Sequence, residues 1–204
     1  MQTQTVPGYR FEDYLAIERE AIDAKHEYVA GEVFAMTGGS YEHSLIAANI
    51  TGELRQQLKG GTCSVLTSDM RIRIEAADVC AYPDVSVLCG EPVFHDARRD
   101  VLTNPTLIAE VLSPATEADD RGGKFAHYRR LPSLRHYLLI AQDQVSVDVF
   151  TRLPDGRWML DAYDDLDAEI PLDALGVQLS VRDLYDRVLF ESDDPADQPP
   201  ADQP

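Results

Sequence analysis

A chain of 204 residues, 44% of them hydrophobic, is long enough to fold as one domain with a sizeable core. Its longest apolar runs fall far short of the roughly 20 residues that a membrane-spanning helix needs, so we expect no membrane span. The net charge of −18 disfavours a nucleic-acid partner, because proteins that contact phosphates usually carry a basic surface.

Part of the negative charge lies at the end of the chain. The last 14 residues read ESDDPADQPPADQP and contain five acids and no base. Such a Pro- and Asp-rich stretch without apolar periodicity predicts a disordered tail over residues 191–204. Residues 1–190 then form the predicted single domain. This domain is still acidic, so any contact with DNA needs local basic clusters or bound cations.

The cysteines and the amino terminus bear on the cellular compartment. Cys63, Cys80 and Cys89 form an odd set without CxxC spacing, which argues against a disulfide framework and a zinc cluster. The first residues, MQTQTVPGYRFEDYL, lack the basic start and apolar block of a secretory signal. We therefore expect a cytoplasmic protein in a reducing compartment.

The first part of the chain predicts a helix, a hairpin and a longer helix. Residues 9–22 are amphipathic at helical spacing, with an inward-facing set formed by Phe11, Tyr14, Leu15, Glu18 and Ile22. Residues 27–29 and 32–36 are β-rich and meet at Ala30-Gly31, which indicates a hairpin. Ser40 is suited to cap a helix that ends at Gly60-Gly61 and whose apolar stripe is Ile46, Ile50, Leu54 and Leu58.

The remaining elements are mostly strands. They are predicted at 63–67, 69–75, 85–88, 107–112, 137–141, 145–152 and 157–163, with a polar loop over 90–105. In the strand 69–75, Arg71, Arg73 and Glu75 alternate with apolar residues, which predicts one solvated face. Helices are predicted over 119–131 and, capped by Ser180, over 181–187. Without a repeat or a second core, this order indicates one α/β domain with extra hairpins.

Three charged residues stand at notable places along these elements. Asp84 follows Pro83 at the start of an apolar strand, Glu110 interrupts the next apolar strand, and Lys124 lies early in the following helix. A buried carboxylate needs a partner, since burying an unpaired charge costs several kcal/mol or shifts its pKa. Two carboxylates on neighbouring strands suit Mg²⁺ or Mn²⁺, and a nearby lysine can stabilise charge on a phosphate.

The same residues lie within a longer pattern. It comprises HEYVAGEVFAM at 26–36, EHS at 42–44, YPDV at 82–85, EVLSP at 110–114, DRGGK at 120–124 and Tyr128. In this order and spacing, the chain resembles the Uma family of predicted restriction endonucleases, formerly a domain of unknown function. This family lies within the PD-(D/E)xK restriction-endonuclease-like superfamily. The resemblance covers roughly residues 10–188.

The resemblance implies a fold, an activity and roles for individual residues. It implies an αβββαβ core with a mixed central sheet flanked by helices, and hydrolysis of DNA phosphodiester bonds that depends on Mg²⁺ or Mn²⁺. Asp84 and Glu110 become metal ligands and catalytic residues. The superfamily places its lysine two residues after the second acid, where this chain has Leu112. Lys124 is the expected substitute, because a helix beside the strand can bring its amine to the same place.

Further residues are candidates for the same site. Glu42 and His43 lie in the first turn of the long helix, where superfamily members often supply another acid, although Glu42 can also simply complement the helix dipole. Glu27 and Glu32 on the hairpin can reach a metal or face solvent. Gln142, after a strand end, is a candidate substrate contact.

A small basic cluster follows the helix that carries Lys124. Arg129, Arg130 and Arg135, together with Arg98-Arg99, are the best candidates for phosphate contacts, with surface pairing to acids as the alternative.

Each of the three main site residues also has a structural interpretation. Asp84 can cap a turn, Glu110 can pair with Arg71 or Arg73, and Lys124 can be a solvated helix residue. Two alternatives to a DNA endonuclease therefore stay open. One is a catalytically inactive interaction protein that keeps the fold, and the other is a metal-dependent hydrolase of a non-DNA substrate. We also expect a homodimer, because many nucleases of this class pair two sites.

Overall fold

The computed structural model of the chain describes residues 8–36, 38–113, 117 and 120–190. The tail 191–204, predicted to be disordered, lies outside these residues. So does Asp119, the predicted first residue of a helix.

The amino-terminal part has the three predicted elements. Helix α1 spans Phe11–Glu20, strands β1 (His26–Val29) and β2 (Glu32–Ala35) form an antiparallel hairpin, and helix α2 spans Tyr41–Gln57. Ser40 caps α2, since its side chain accepts a hydrogen bond from the His43 N–H. The inward position predicted for Ile22 is wrong: α1 ends two residues earlier, and the Ile22 side chain is 95% exposed.

The rest of the chain alternates short strands with single turns of helix. The strands are β3 (Cys63–Thr67), β4 (Arg71–Ile74), β5 (Val79–Ala81), β6 (Val85–Cys89), β7 (Val101–Leu102), β8 (Leu107–Leu112), β9 (His136–Ala141), β10 (Val147–Arg152), β11 (Trp158–Tyr163), β12 (Glu169–Leu172) and β13 (Val177–Ser180). Helix α3 spans Phe125–Tyr128 and is preceded by a π-helical turn over Asp120–Lys124, and helix α4 spans Val181–Leu184.

These strands form two larger sheets and a hairpin. The six-stranded sheet has the order β11-β10-β9-β8-β6-β3, and the five-stranded sheet has the order β2-β1-β5-β4-β7. Both are mixed, since β8 pairs with β9 and β4 pairs with β7 in parallel while their other pairs are antiparallel. β12 and β13 form the separate carboxy-terminal hairpin. The α/β fold class predicted from the sequence, a mixed sheet flanked by helices with added hairpins, is thus confirmed.

The central strands of the six-stranded sheet, β6, β8 and β9, are buried on both faces, and each face packs against a different layer. Residues of β6, β8 and β9 that include Val85, Ala109 and Ile140 pack against α2, α4 and the carboxy-terminal hairpin. The alternate residues, including Ile108 and Leu112, pack against β4, β5 and α3. Because side chains alternate along a strand, Glu110 faces the second layer together with Ile108 and Leu112.

Arg71 and Arg73 do not lie on the solvated face that the sequence predicts for β4. The Arg73 side chain is buried, donates to Asp78 Oδ1 at 2.7 Å and stacks on the ring of Phe11. Arg71 donates to Asp100 and to the hydroxyl of Tyr82. Both guanidinium groups are therefore held between α1 and the five-stranded sheet, where charge pairing and aromatic contacts offset their burial.

The last predicted helices are shorter in the structure. Residues 120–131 contain the π-helical turn, α3 and a turn, and Tyr128 and Leu131 are buried. Helix α4 ends at Leu184 and not at Arg187. Ser180 stands at its N-cap, as predicted, but the Ser180 side chain accepts no capping hydrogen bond.

The cysteine prediction is also wrong for two of the three residues. Cys63 on β3 and Cys89 on β6 are directly opposite each other in the six-stranded sheet and form a disulfide, whereas Cys80 is free and buried. The cysteine count and spacing gave no sign of this disulfide, because the two residues are brought together by the register of β3 against β6. The argument from cysteines to a reducing compartment accordingly loses its basis. None of the helices in the described part of the chain has the length and apolar character needed to cross a bilayer.

Candidate functional site

The register of β6 and β8 places Asp84 opposite Glu110. Val85 pairs with Ala109 at the end of this antiparallel ladder, so one further step along both strands brings the two acids together. Both side chains point to the same face as Ser86 and Ile108, towards the five-stranded sheet. The predicted convergence of the two residues therefore follows from strand pairing.

Direct hydrogen bonds fix both carboxylates. The Asp84 N–H donates to Glu110 Oε2 at 3.2 Å, and the Val111 N–H donates to Asp84 Oδ2 at 2.8 Å. The hydroxyl of Tyr128 donates to Glu110 Oε1 at 2.9 Å. Each carboxylate thus accepts a hydrogen bond from a backbone N–H at or next to the other acid, which limits the movement of both.

Lys124 reaches the same point from the end of the π-helical turn that precedes α3. Its Nζ lies 3.4 Å from Glu110 Oε1, 3.1 Å from Asp120 Oδ1 and 3.7 Å from Glu27 Oε1. The π-helical turn places Asp120 and Lys124 on one side, and a hydrogen bond from the Tyr137 hydroxyl to the Asp120 carbonyl anchors that turn. Lys124 is therefore not a solvated helix residue, and Glu110 pairs with it and not with Arg71 or Arg73.

The charges at this point do not balance. Glu27, Glu110 and Asp120 surround one ammonium group, with Asp84 next to Glu110, and Glu110 and Asp120 are almost fully buried. Burial, with further contributions from Asp84 and Asp120, raises the pKa of Glu110 to about 8 against the opposing effect of Lys124. Burial alone would lower the pKa of Lys124, but attraction to its neighbouring carboxylates raises it. The lysine stays charged, and the acids around it outnumber it.

His43 adds a second basic group at the edge of this cluster. Its Nε2 lies 3.3 Å from Asp84 Oδ2, and this contact raises the pKa of the imidazole despite its partial burial. The Ser40 cap orients the first turn of α2, where His43 lies. Of the two candidates on that turn, His43 joins the site.

The cluster opens into a cavity of about 710 Å³ between the two larger sheets. Asp84, Glu110, Asp120, Lys124 and His43 line one end of it. Side chains from β1, β2, β4 and β5 line the rest of it, and apart from Glu27 they are apolar. The site is thus a recess at the junction of two layers.

The donor atoms fit a hard divalent cation. In the described ranges no group of three or more His, Cys, Asp and Glu side chains is arranged to hold a metal ion. Two carboxylates suffice for Mg²⁺, however, because this ion keeps several waters and takes oxygens from the substrate phosphate. Asp120 Oδ1 is buried and, apart from its ion pair with Lys124, makes no hydrogen bond within the described residues. A surplus of carboxylate oxygens around two facing acids is the environment that such a cation neutralises.

The other candidates from the sequence divide between the cavity and its surroundings. Glu27 lines the cavity and accepts a hydrogen bond from the Tyr82 N–H at 3.1 Å. Glu32 is exposed, and neither Glu32 nor Glu42 is among the residues that line the cavity. Gln142 accepts a hydrogen bond from the Ser40 hydroxyl at 2.9 Å, so it contacts the N-cap of α2 and not the acids.

The predicted phosphate contacts lie outside the cavity. Arg129, Arg130 and Arg135 are exposed. Arg130 donates to the carbonyl of Ala76, and Arg135 lines a separate surface depression with Arg152. Arg135 precedes β9, whereas Glu110 pairs with Leu139 further along that strand. Arg135 is thus displaced from the acids by the length of about four strand residues.

Two residues of the cluster are absent from the set assigned to the site from the sequence. Asp120 stands four residues before Lys124, and Tyr128 stands four residues after it. This spacing puts all three on one side of a helix, which is the signal that could have identified them. Tyr128 supports Glu110, and Asp120 supports Lys124.

Comparison with known proteins places the chain in a family. The family model Uma2, described as "Putative restriction endonuclease", matches residues 11–182. Two proteins of Synechocystis sp. (strain ATCC 27184 / PCC 6803 / Kazusa) are similar to this chain, and both are described as uncharacterized. The protein slr1290 is 37% identical over 88% of this chain and 92% of its own length, and sll1609 is 35% identical over 78% and 89%.

The fold comparison agrees with this assignment. A crystal structure of "a putative nuclease belonging to DUF820" from Anabaena variabilis ATCC 29413 superposes with a TM-score of 0.74. The superposition covers 89% of this chain and 99% of that one at 18% sequence identity, so it shows a shared fold. With the family model matching most of the sequence, the chain belongs to the Uma2 family of restriction-endonuclease-like proteins.

Proposed function

We propose that this protein is a nuclease that hydrolyses DNA phosphodiester bonds with the help of Mg²⁺ or Mn²⁺. Family membership and the nuclease-like fold support the reaction class. The observation that carries the proposal is the pair of facing carboxylates, Asp84 and Glu110, with the Lys124 ammonium 3.4 Å from Glu110. Facing acids and a cation at the end of a cavity are the groups that phosphodiester hydrolysis requires.

Asp84 and Glu110 would hold the metal ion. Their hydrogen bonds to Val111 N–H and Tyr128 leave oxygen lone pairs available while fixing the direction of each carboxylate. When bound, a divalent cation polarises a phosphoryl oxygen and lowers the pKa of a water molecule. The protein's contribution is to hold these oxygens rigidly in a recess of restricted solvent access.

Lys124 would stabilise negative charge on the phosphate. Leu112, at the position where the superfamily has its lysine, is buried in the core beside Ile108. The ammonium of Lys124 lies at hydrogen-bonding distance from Glu110, although it comes from a helix and not from the strand. This contact supports the inference that the charge has moved along the chain while its place in the site is kept.

The net charge of −18 favours a second candidate, a metal-dependent hydrolase of a substrate other than DNA. In the first candidate, bound cations would have to compensate the acidic surface, and Arg129 and Arg130 would contact phosphates away from the cavity. Both candidates use the same metal site, so metal binding alone does not distinguish them.

Cleavage of two DNA forms tests the proposal. Supercoiled plasmid and single-stranded circular DNA are incubated with the full chain and Mn²⁺, with and without EDTA. The variant Asp84→Asn keeps the size of the side chain and its ability to accept from Val111, and Glu42→Gln outside the cavity is the matched control. Nicking that EDTA and Asp84→Asn abolish and Glu42→Gln preserves is the expected result.

The other outcomes have distinct meanings. Calorimetric Mn²⁺ binding that disappears in Asp84→Asn, without cleavage of either DNA, supports the hydrolase of another substrate. If neither the wild type nor Glu42→Gln binds Mn²⁺, the metal site is refuted and an inactive interaction protein remains. The predicted homodimer is tested separately by light scattering during size-exclusion chromatography.

A further inference from the structure

The apolar end of the cavity is formed by one face of the five-stranded sheet. Val29 pairs with Val79, and Val79 pairs with Ile74, so these three side chains form a row across β1, β5 and β4. All three line the cavity. The catalytic candidates line the same cavity, so the recess has a charged part and an apolar part.

Phe34 extends this apolar surface to the edge of the sheet. It is directly opposite Glu27 in the β1–β2 ladder and therefore faces the same side, next to the carboxylate that contacts Lys124. Its side chain lines the cavity and is 49% exposed. An aromatic ring left half in solvent beside an acid cluster adds nothing to the core, but it offers a flat surface to a ligand.

His127 supplies an unsatisfied polar atom in the same recess. The residue lines the cavity one helical turn beyond Lys124. Its Nδ1 is buried and makes no hydrogen bond to any part of the chain that the structure describes. A buried polar atom without a partner is costly, and a turn of the imidazole that brings Nδ1 to the cavity surface would let a ligand atom pair with it.

The size of the recess exceeds what a metal site requires. A hydrated cation with roughly six waters of about 30 Å³ each would fill only a fraction of the 710 Å³. The remaining space is lined mainly by apolar side chains, with the aromatic rings of Phe34 and Tyr82 and the imidazole of His127. This combination suits a planar heteroaromatic ring with polar edges.

Resting on the proposed nuclease function, we propose that the cavity holds one unpaired nucleotide, with its base on the apolar surface and its phosphate at the acid and lysine end. Phe34 stacks on the base, and His127 Nδ1 hydrogen-bonds to the base or sugar. A paired base cannot reach such a recess without leaving the duplex, so the preferred substrate is single-stranded DNA or a nucleotide extruded from a duplex. Stacking on an aromatic ring also gives affinity that does not rely on a basic surface.

Binding to defined oligonucleotides tests this proposal without any cleavage. The full chain is titrated in Ca²⁺, another oxygen-seeking cation, against three fluorescein-labelled probes by anisotropy. The probes are a thymine 12-mer, the same backbone with abasic positions throughout, and the thymine strand annealed to its complement. The single strand should bind about tenfold more tightly than the abasic strand and more tightly than the duplex, as expected for a stacked base.

Two substitutions on β2 identify the residue responsible. Phe34→Ala should reduce the tenfold preference for bases over abasic positions to less than twofold. Val33→Ala is the matched control, because Val33 alternates with Phe34 on the same exposed strand and does not line the cavity. His127→Phe, which keeps a ring and removes the nitrogen, should weaken binding of the thymine strand a few-fold.

The result that overturns the proposal is a preference for bases that survives in Phe34→Ala, or tighter binding of the duplex than of the single strand. Failure of the proposed nuclease function gives a different result. If binding in Ca²⁺ depends on the bases but no DNA is cleaved in Mn²⁺, the nuclease proposal fails and the base subsite is retained. Conversely, cleavage of plasmid by Phe34→Ala at the wild-type rate keeps the nuclease and removes the base subsite.

Discussion

Asp84 and Glu110 are held against each other by the backbone: the Asp84 N–H donates to the carboxylate of Glu110, and the residue after Glu110 donates to the carboxylate of Asp84. The arrangement is reciprocal, so moving either acid disturbs the other. It forms where two antiparallel strands end their ladder, and the position of the acids is therefore as well determined as the sheet itself.

Glu110→Gln should stabilise the protein in the absence of metal. Burial raises the pKa of Glu110 to about 8, so the ionised carboxylate is disfavoured in the folded protein at neutral pH. Replacing it with a neutral amide of the same shape should raise the free energy of unfolding by about 2 kcal/mol at pH 7. Urea unfolding in EDTA measures this, with Glu42→Gln as the control.

A Glu110→Gln protein less stable than the wild type would show that the Glu110–Lys124 ion pair is worth more than the burial of the carboxylate costs. In Mn²⁺ the order of stability should reverse, because only the wild type gains stability from bound metal.

Lys124→Met should destabilise the protein and leave metal binding intact. The substitution leaves Glu27, Glu110 and Asp120 without their shared cation, and breaking a buried ion pair on one side costs about 3 kcal/mol. Millimolar Mn²⁺ should restore part of this stability while cleavage stays absent. Chemical unfolding with and without Mn²⁺, beside plasmid cleavage, separates the two effects.

Lys59→Met, in the exposed turn after α2, is the matched control for the loss of a lysine. Wild-type stability in Lys124→Met would contradict the assignment of Lys124 as the counter-ion of the cluster.

The Cys63–Cys89 disulfide should leave one thiol in the oxidised protein. Thiol titration in denaturant should give one reactive group, Cys80, before reduction and three after it. The bond closes a loop of sequence separation 26, so the double variant Cys63→Ala, Cys89→Ala should lose roughly 3 kcal/mol of stability. Three thiols in protein purified without reductant would show that the bond does not form.

His136 should make the protein less stable in mild acid. Burial lowers the pKa of His136 below its ordinary value of 6.5, and Nε2 accepts from the Ala174 N–H while Nδ1 contacts the Thr151 hydroxyl. The unfolded chain therefore binds a proton first as the pH falls, and the free energy of unfolding decreases below about pH 6.5. Thermal unfolding between pH 8 and 5 should show this decrease in the wild type.

In His136→Gln the same scan should lack the decrease in stability that begins near pH 6.5. The losses of stability that carboxylates cause at lower pH should persist. Identical curves for the two proteins would mean that His136 takes up its proton without disturbing the fold.

The features that could be predicted from the sequence are those that follow from the spacing of apolar and polar residues within one segment. The apolar stripe of α2, the hairpin at Ala30-Gly31 and the acid inside β8 all follow from spacing along one segment. The meeting of Asp84 and Glu110 needed one more step, the antiparallel pairing of two neighbouring strands. Lys124 needed a helix packed over that pair, which the sequence order made reasonable.

The residues that could not be predicted depend on partners far along the chain. Arg71 and Arg73 follow the alternating pattern of a solvated face, but Asp100, Asp78 and Phe11 bury them. The pairing of Cys63 with Cys89 depends on the register of β3 against β6. The apolar surface beside the acids combines three strands that are separated in sequence, so no single segment shows it.

Lys124 also has a mechanical consequence. Glu27 belongs to β1 of the five-stranded sheet and Glu110 to β8 of the six-stranded sheet, and these sheets share no strand in the described chain. One ammonium group therefore links the two layers at the corner where they meet. A relative that has lost turnover would still be under selection to keep this lysine for its architecture. Its presence in a sequence is accordingly no evidence of activity, and Asp84 is the more informative residue to compare between relatives.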